Sequence, residues 1–234
     1  MRYIRQEILK EIGRSGQGKL KRSAAAIVGL GALGSASAEL LARAGIGRFF
    51  LIDRDVVELS NLQRQSLFEE NDIGKPKAFA AHKRLKKINS SIKIDFVIDD
   101  LNHENISRIF SQRKNPDIIL DCTDNLETRF LLNDFCIKNK ITLIYSAAIR
   151  AKGYVFNIMP GVTACLRCFL KESSQLDTCE TTGVLNSITH LVSSIQASEA
   201  LKLLIKKDNF ETKLLFFDIS FLFGISLLKD IYFY

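Results

Sequence analysis

Proline occurs only three times in 234 residues, and no Pro-, Gly- or Ser-rich stretch divides the chain. A linker between independent domains is therefore not expected, and residues 1–234 read as a single domain. Cysteine is also sparse. Five residues, an odd number with no framework spacing, exclude a disulfide-stapled scaffold. Long hydrophobic runs are missing as well. The most apolar tract, "LLFFDISFLFGISLLKDIYFY", has only ten uncharged residues between Asp218 and Lys229, too few for a bilayer span. Paired strands turning near Gly224 are the expected reading. The opening "MRYIRQEILKEIG" lacks the uninterrupted apolar stretch of a secretory signal, so reduced thiols in a cytoplasm are expected. Basic residues exceed acidic ones by seven, but no aromatic-interleaved basic motif accompanies them. The densest run, "HKRLKKIN", fits the solvated face of a helix. The excess charge is read as general attraction for anionic ligands, with neither nucleic acid nor membrane as a partner.

What is present is an alternation of strands and helices. "RYIRQEILKEIG" places Ile4, Ile8, Leu9 and Ile12 on one helical face, predicting an amphipathic arm helix docked on the body over residues 1–20. "SAAAIVGLG" is a buried strand running into glycines, and "ALGSASAELLARAG" is a small-residue helix stopped at Gly45. Strands "RFFLID", "IKIDFVID", "DIILDCTDN" and "TLIYSAAI" then alternate with helices around "KAFAAHKRLKKIN", "HENISRIFSQR" and "LETRFLLNDFCIKN". Strands apolar on both faces predict an α/β fold, with a Rossmann-like, mostly parallel sheet covered by helices on both faces over residues 21–150. From 151 to 234 the pattern changes to a strand, an irregular crossover, the long helix "GVLNSITHLVSSIQASEALKLLIKK" and closing antiparallel strands.

"GLGALG" sets Gly29, Gly31 and Gly34 in G-x-G-x-x-G spacing between a strand and a helix. Gly29 suits the tight turn, Gly31 lets backbone approach a phosphate, and Gly34 permits close helix–strand packing. The helix N-terminus adds unpaired N–H groups. Asp53 ends the next strand, where an acid holds ribose hydroxyls. A nicotinamide cofactor would need little more, but would leave "LIDRDVVELSNLQRQ" unexplained. Within it Asp55, Ser60, Asn61, Gln63, Arg64 and Gln65 crowd together, and ATP accounts for them. Splitting a phosphoanhydride builds negative charge, so cations and donors are required. Arg64 can fork across two phosphate oxygens. Asn61 and Gln65 add neutral donors, and Lys77, in "IGKPKAFA", starts the following helix as a second cation. Asp124, in "DCTDN", follows a buried strand at the sheet's carboxyl edge and can hold Mg²⁺; capping of "NLETRF" is its alternative. Asp121 reads as structural. Surface pairing of Arg64 with Glu69 or Glu70 and simple solvation of Lys77 are the corresponding alternatives.

These segments carry a family resemblance. "RYIRQ", "GLGALG", "LIDRDVVELSNLQRQ", "IGKPKA", "LDCTDN", "CLRC" and "TCETTGV" stand in the order found in the ThiF/MoeB/HesA adenylyltransferases, bacterial relatives of ubiquitin-activating enzymes, over nearly the whole chain. The resemblance implies a homodimer that binds ATP–Mg²⁺ and adenylates the C-terminal glycine of a small ubiquitin-fold sulfur carrier, of thiamine or molybdopterin type. It assigns ATP contacts to Gly31, Ala32, Asp53, Ser60, Asn61, Leu62, Gln63, Arg64, Lys77, Asp124 and Asn125. It also matches Arg5 to an arginine that reaches into the neighbouring subunit's site. Cys179, in "LDTCETTGV", becomes the candidate for capturing the activated carrier or passing sulfur from a donor protein; a passive loop thiol is its alternative. Cys165 and Cys168 would be half of a tetrahedral zinc site, but the second C-x-x-C of the family does not appear before "KDIYFY". The spacing of Cys179 and His190 offers no replacement, so a metal-free variant is expected. Cys122 and Cys136 read as buried packing residues. Two other readings stay open: an NAD-dependent Rossmann oxidoreductase, and a catalytically silent dimeric scaffold.

Overall fold

The computed structural model describes residues 2–111, 115–170, 182–205, 211–220 and 226–227. Strands β1 (Ala24–Val28), β2 (Arg48–Ile52), β3 (Lys93–Val97), β4 (Ile118–Asp121), β5 (Thr142–Ile149), β6 (Lys152–Ile158), β7 (Leu215–Asp218) and β8 (Ser226–Leu227) form one sheet. Their spatial order is β3-β2-β1-β4-β5-β6-β7-β8. The first five strands run parallel, and β6, β7 and β8 continue the sheet antiparallel, as the sequence pattern predicts. The pairing of Asp218 with Ser226 and of Phe217 with Leu227 bears out the paired strands expected in the terminal apolar tract.

Alternate residues of each central strand feed different cores, which is why these strands are apolar throughout. Ala25, Ile27, Phe49, Leu51 and Leu120 face a core built with helices α3 (Ala32–Ala44), α4 (Lys77–Ile88) and α7 (Asn186–Ile205). Ala26, Val28, Phe50, Ile52 and Ile119 face a second core under α5 (Ile106–Ser111) and α6 (Leu126–Asn139). The chain builds outward from β1 through β2 to β3, then returns to lay β4 on the other side of β1. The two halves diverge there, opening a crevice at the carboxyl ends of β1 and β4.

The small residues of α3 let it lie close against the sheet and α7. Gly45 closes α3 in a left-handed conformation, φ 91°, as its position in the sequence suggests. Gln196 of α7 is fully buried and uses its whole amide. It accepts from Ser37 Oγ at 2.8 Å and donates to the carbonyls of Asp121 and Ile144 at 3.2 and 3.0 Å, tying α3, β4 and β5 together.

The N-terminal arm differs from expectation. It is two helices, α1 (Ile4–Glu7) and α2 (Gly13–Arg22), and its apolar face is only partly docked: Ile12 and Leu20 pack against the core, whereas Ile8 and Leu9 are 65% and 51% exposed. Polar side chains hold it as well. Gln6 Nε2 donates to Gln17 Oε1 at 2.6 Å and to the Ala44 carbonyl at 2.9 Å, and Gln17 Nε2 donates to the same carbonyl at 3.0 Å. The end of α3 leaves carbonyls without intrahelical partners, and the arm's glutamines supply donors. Periodicity reported the apolar stripe but not which face meets the body.

Candidate functional site

A cleft of about 1020 Å³ opens at the crevice between β1 and β4. Its floor is the glycine loop. Gly29 takes φ 84°, and a Cβ there would stand 2.6 Å from the Cys122 carbonyl oxygen; at Gly34 it would stand 1.8 Å from the Gly29 carbonyl oxygen. Both glycines are demanded by the protein's own backbone. Gly31 differs. A Cβ at Gly31 would meet nothing nearer than Gln65 Nε2 at 3.8 Å, so the space above it belongs to the cleft. Gly31 also precedes α3 with no side-chain cap, leaving the first N–H groups of that helix unsatisfied at the floor.

Asp53 ends β2 and is buried. One carboxylate oxygen accepts the Leu30 N–H at 2.5 Å and the other the Asp55 N–H at 2.8 Å, so the acid clamps the glycine loop as well as facing the cleft. Burial pushes its carboxyl up, opposed by the Leu30 N–H and the Lys77 charge. Lys77 is buried at the start of α4, not solvated there. Its Nζ pairs with Asp55 at 2.9 Å, and its backbone N–H donates to the Asp55 carbonyl at 2.9 Å. Two contacts from one residue fix the ammonium at the rim.

The polar loop divides into two groups. Asp55, Asn61, Arg64 and Gln65 line the cleft, whereas Ser60, Leu62 and Gln63 do not. Residues 59–61 form a single 3₁₀ turn whose capping box uses Asn61: its Oδ1 accepts the Glu58 N–H at 3.2 Å. Part of the amide's capacity is therefore spent on the turn. Gln63 offers its carbonyl to Asn186 Nδ2 at 3.4 Å, bridging to α7. Arg64 Nη1 donates to the Ser60 carbonyl at 3.0 Å, and no ion pair joins it to Glu69 or Glu70 among the described residues. The guanidinium stands at the cleft with most of its donors uncommitted.

At the β4 edge, Asn125 and not Asp124 caps α6, its Oδ1 accepting the Thr128 N–H at 2.8 Å. Asp124 is exposed on the cleft wall and makes no hydrogen bond among the described residues. The capping alternative for Asp124 is thereby excluded. Asp121 is fully buried, with one oxygen accepting the Thr123 N–H and hydroxyl at 3.0 and 2.7 Å, a structural role as expected.

Sequence reasoning missed Arg129. It is buried at the back of the cleft, 4.9 Å over the Tyr145 ring, with Nη2 on the Thr123 carbonyl. Its Nε and Nη1, and the Oε1 of Gln65, are buried without protein partners among the described residues. Such groups call for water or a ligand. The available signal was an arginine one turn beyond "DCTDN", in a helix whose other inner residues are uncharged.

Arg5 is exposed on α1 and does not line this cleft. Cys179 lies outside the described residues. Cys122 and Cys136 are buried, the Cys122 thiol pushed up to about 12 by burial, so both are packing residues rather than nucleophiles. No group of three or more potential metal ligands occurs among the described residues. No described helix is long and apolar enough to cross a membrane.

The ThiF family model matches residues 3–227. The chain belongs to the ThiF family. It is 45% identical over 207 residues to the sulfur carrier protein ThiS adenylyltransferase of Bacillus subtilis, covering 87% of this chain and 60% of that protein. The SAMP-activating enzyme E1 of Haloferax volcanii is 36% identical over 221 residues, covering 93% and 80% of the two chains. The adenylyltransferase and sulfurtransferase MOCS3 of Culex quinquefasciatus is 39% identical over 223 residues, 93% of this chain but half of that one. The chain thus spans half to four-fifths of the length of these relatives. Among solved structures, E. coli MccB with MccA-N7isoASN superposes with a TM-score of 0.84 at 23% identity, over 97% of this chain and 72% of that one. E. coli MccB with ATP gives a TM-score of 0.78 at 24% identity, over 92% and 65%. These two likenesses concern the fold: the parallel sheet with its antiparallel continuation is that of the MccB structures.

Proposed function

We propose that this chain is a nucleotidyltransferase that uses ATP to adenylate the C-terminal carboxylate of a small ubiquitin-fold sulfur-carrier protein. One observation carries the reading: an open phosphate floor at Gly31 and Ala32 shares one cleft with Arg64, Lys77 and an uncapped Asp124. The family relatives named as adenylyltransferases support it. A nicotinamide cofactor would use the glycine loop and Asp53 but leave the two rim cations without a task.

In this reading the triphosphate lies across the N-terminus of α3, with Asp53 free to accept from the ribose through the lone pairs its two backbone bonds leave. Arg64 and Lys77 gather the phosphate oxygens. Asp124 offers a hard oxygen ligand suited to Mg²⁺, which when bound supplies further positive charge against the phosphates. The carrier's carboxylate, already ionised, needs no general base. It forms a bond to the α-phosphorus while the bond to the bridging oxygen of pyrophosphate breaks, giving an acyl-adenylate and pyrophosphate. Bringing two anions together is the main barrier, and fixed cations with enforced proximity lower it. Arg129, with unsatisfied N–H groups at the back of the cleft, is suited to receive the carboxylate.

Incubation with ATP and a carrier ending in Gly-Gly is expected to give ATP–pyrophosphate exchange and a carrier whose mass rises by one adenylyl group. No exchange with any carrier from the same genome, with ATP–Mg²⁺ unbound in calorimetry, would favour the silent scaffold. Asp124→Asn should lower the exchange rate by roughly 10²-fold while leaving the melting temperature nearly unchanged, because the side chain is exposed and has no hydrogen bond to lose among the described residues. Raising Mg²⁺ should recover part of that loss.

Homodimerisation belongs to the same proposal. The arm presents Ile8 and Leu9 to solvent beside Arg5, which has no hydrogen bond or ion pair among the described residues, as a surface waiting for a second copy would. Sedimentation of the native chain against Arg5→Ala separates assembly from catalysis: the variant should remain dimeric and lose exchange activity. Cys179 is the proposed later acceptor of the carrier or of sulfur from a donor protein, and Cys179→Ser should retain exchange while losing any thioester.

A further inference from the structure

Cys165 and Cys168 flank a single 3₁₀ turn, Leu166–Cys168, and their sulfurs lie 3.5 Å apart. The turn is held from three directions. Leu166 is fully buried and its N–H donates to Asn133 Oδ1 of α6 at 2.8 Å. Arg167 grips Asp134 with two hydrogen bonds, at 2.9 and 2.7 Å, and stacks over Phe130 at 4.8 Å. The Cys168 N–H donates to the Cys165 carbonyl at 3.0 Å, closing the turn so that both thiols project on the same side.

A tetrahedral zinc site needs four ligands. The described residues supply these two thiols and no cluster of three. His190, the remaining histidine weighed for the role, has its Nδ1 on the Asn186 carbonyl at 2.9 Å. The described residues do not complete a site for the metal. They do fit a different chemistry.

We infer that Cys165 and Cys168 form a dithiol–disulfide couple that exchanges with low-molecular-weight disulfides. Cys168 is exposed and Cys165 half-buried, which orders the steps. The Cys168 thiolate attacks one sulfur of the small disulfide, forming a mixed disulfide and releasing one thiolate. The Cys165 thiolate then attacks Cys168 Sγ, forming the internal bond and expelling the second thiolate. Two electrons pass from the protein thiols to the small disulfide, and two protons leave with the products. Closing the bond requires the sulfurs to approach from 3.5 Å to about 2.05 Å, a movement one turn can absorb. Because the anchored turn holds the second thiol beside the first, ring closure should outrun a second external attack. The couple adjoins Phe169 and Leu170, which line the cleft.

The test is oxidation of the native full chain with oxidised glutathione, followed by alkylation and tryptic mapping. Trypsin cuts after Lys152, Arg167 and Lys171, so the internal bond joins peptides 153–167 and 168–171. The expected result is that linked pair, with the loss of two titratable thiols, reversed fully by dithiothreitol. Cys165→Ser should instead accumulate one glutathione adduct on Cys168. Zinc bound in stoichiometric amount to the untreated protein, independent glutathione adducts on both residues, or a link through Cys179 would each overturn the inference. None of these readouts depends on adenylation, so the couple stands or falls apart from the proposed function.

Discussion

Arg64→Ala is expected to lower ATP–pyrophosphate exchange by roughly 10²- to 10³-fold, the loss typical when one preorganised donor to a developing anion is removed. Its cost to folding should be small. The side chain is half-buried and makes one hydrogen bond among the described residues, to the Ser60 carbonyl, so a melting temperature within about 2 °C of the parent is expected. Arg64→Lys restores the charge but not the planar fork, and should recover roughly tenfold of the loss. Steady-state exchange at saturating ATP, paired with a thermal melt, separates the two effects. Unchanged turnover in Arg64→Ala would remove the electrostatic basis of the proposed reaction.

The second large effect concerns the glycine loop, where two similar-looking substitutions should behave oppositely. At Gly34 an added methyl would fall 1.8 Å from the Gly29 carbonyl oxygen, a backbone atom that cannot rotate away. Helix α3 would have to lift from β1, at a cost of about 3 kcal/mol, and for a chain of this size the melting temperature should fall by roughly 6–12 °C. Gly31→Ala meets only the flexible Gln65 amide at 3.8 Å, and although its ψ of −146° falls outside the usual β and α regions, a small backbone rotation at φ −71° relieves that. Its stability should fall by only about 1 kcal/mol, well below the Gly34 cost, while ATP affinity falls about tenfold or more, because the methyl enters the space above the helix N-terminus. Thermal melts and calorimetry with ATP on the two variants give the contrast directly. Equal ATP affinity in Gly31→Ala would mean the nucleotide does not lie over that floor.

Much of this cleft was legible in the linear order of residues. Continuous apolar strands require cover on both faces, so "SAAAIVGLG", "RFFLID" and "DIILDCTDN" announce a parallel sheet, and polar residues that end such strands collect at its carboxyl edge. Asp53 and Asp124 were found that way, Gly29 by the glycine spacing, and Lys77 as the cation that opens the helix after the polar loop. Other features were not legible because they depend on which neighbour reaches a group first. Asn125 takes the cap of α6 and leaves Asp124 unengaged. Asp55 holds Lys77 in a buried position that its place in a lysine-rich helix disguised. Ser60, Leu62 and Gln63 share a motif with Arg64 yet turn away from the cleft, since the 3₁₀ turn at 59–61 points successive side chains in different directions.

The amino-acid order alone determined the strand and helix succession, the glycine loop and the family, since periodicity and glycine spacing are properties of neighbouring residues. Only the tertiary structure decided that glutamines join Ile12 and Leu20 in docking the arm, that Arg129 stands buried with unsatisfied donors, and that two cysteines face each other. Those outcomes depend on distances between residues far apart in the chain, or on how one turn is oriented, and neither composition nor spacing carries that information.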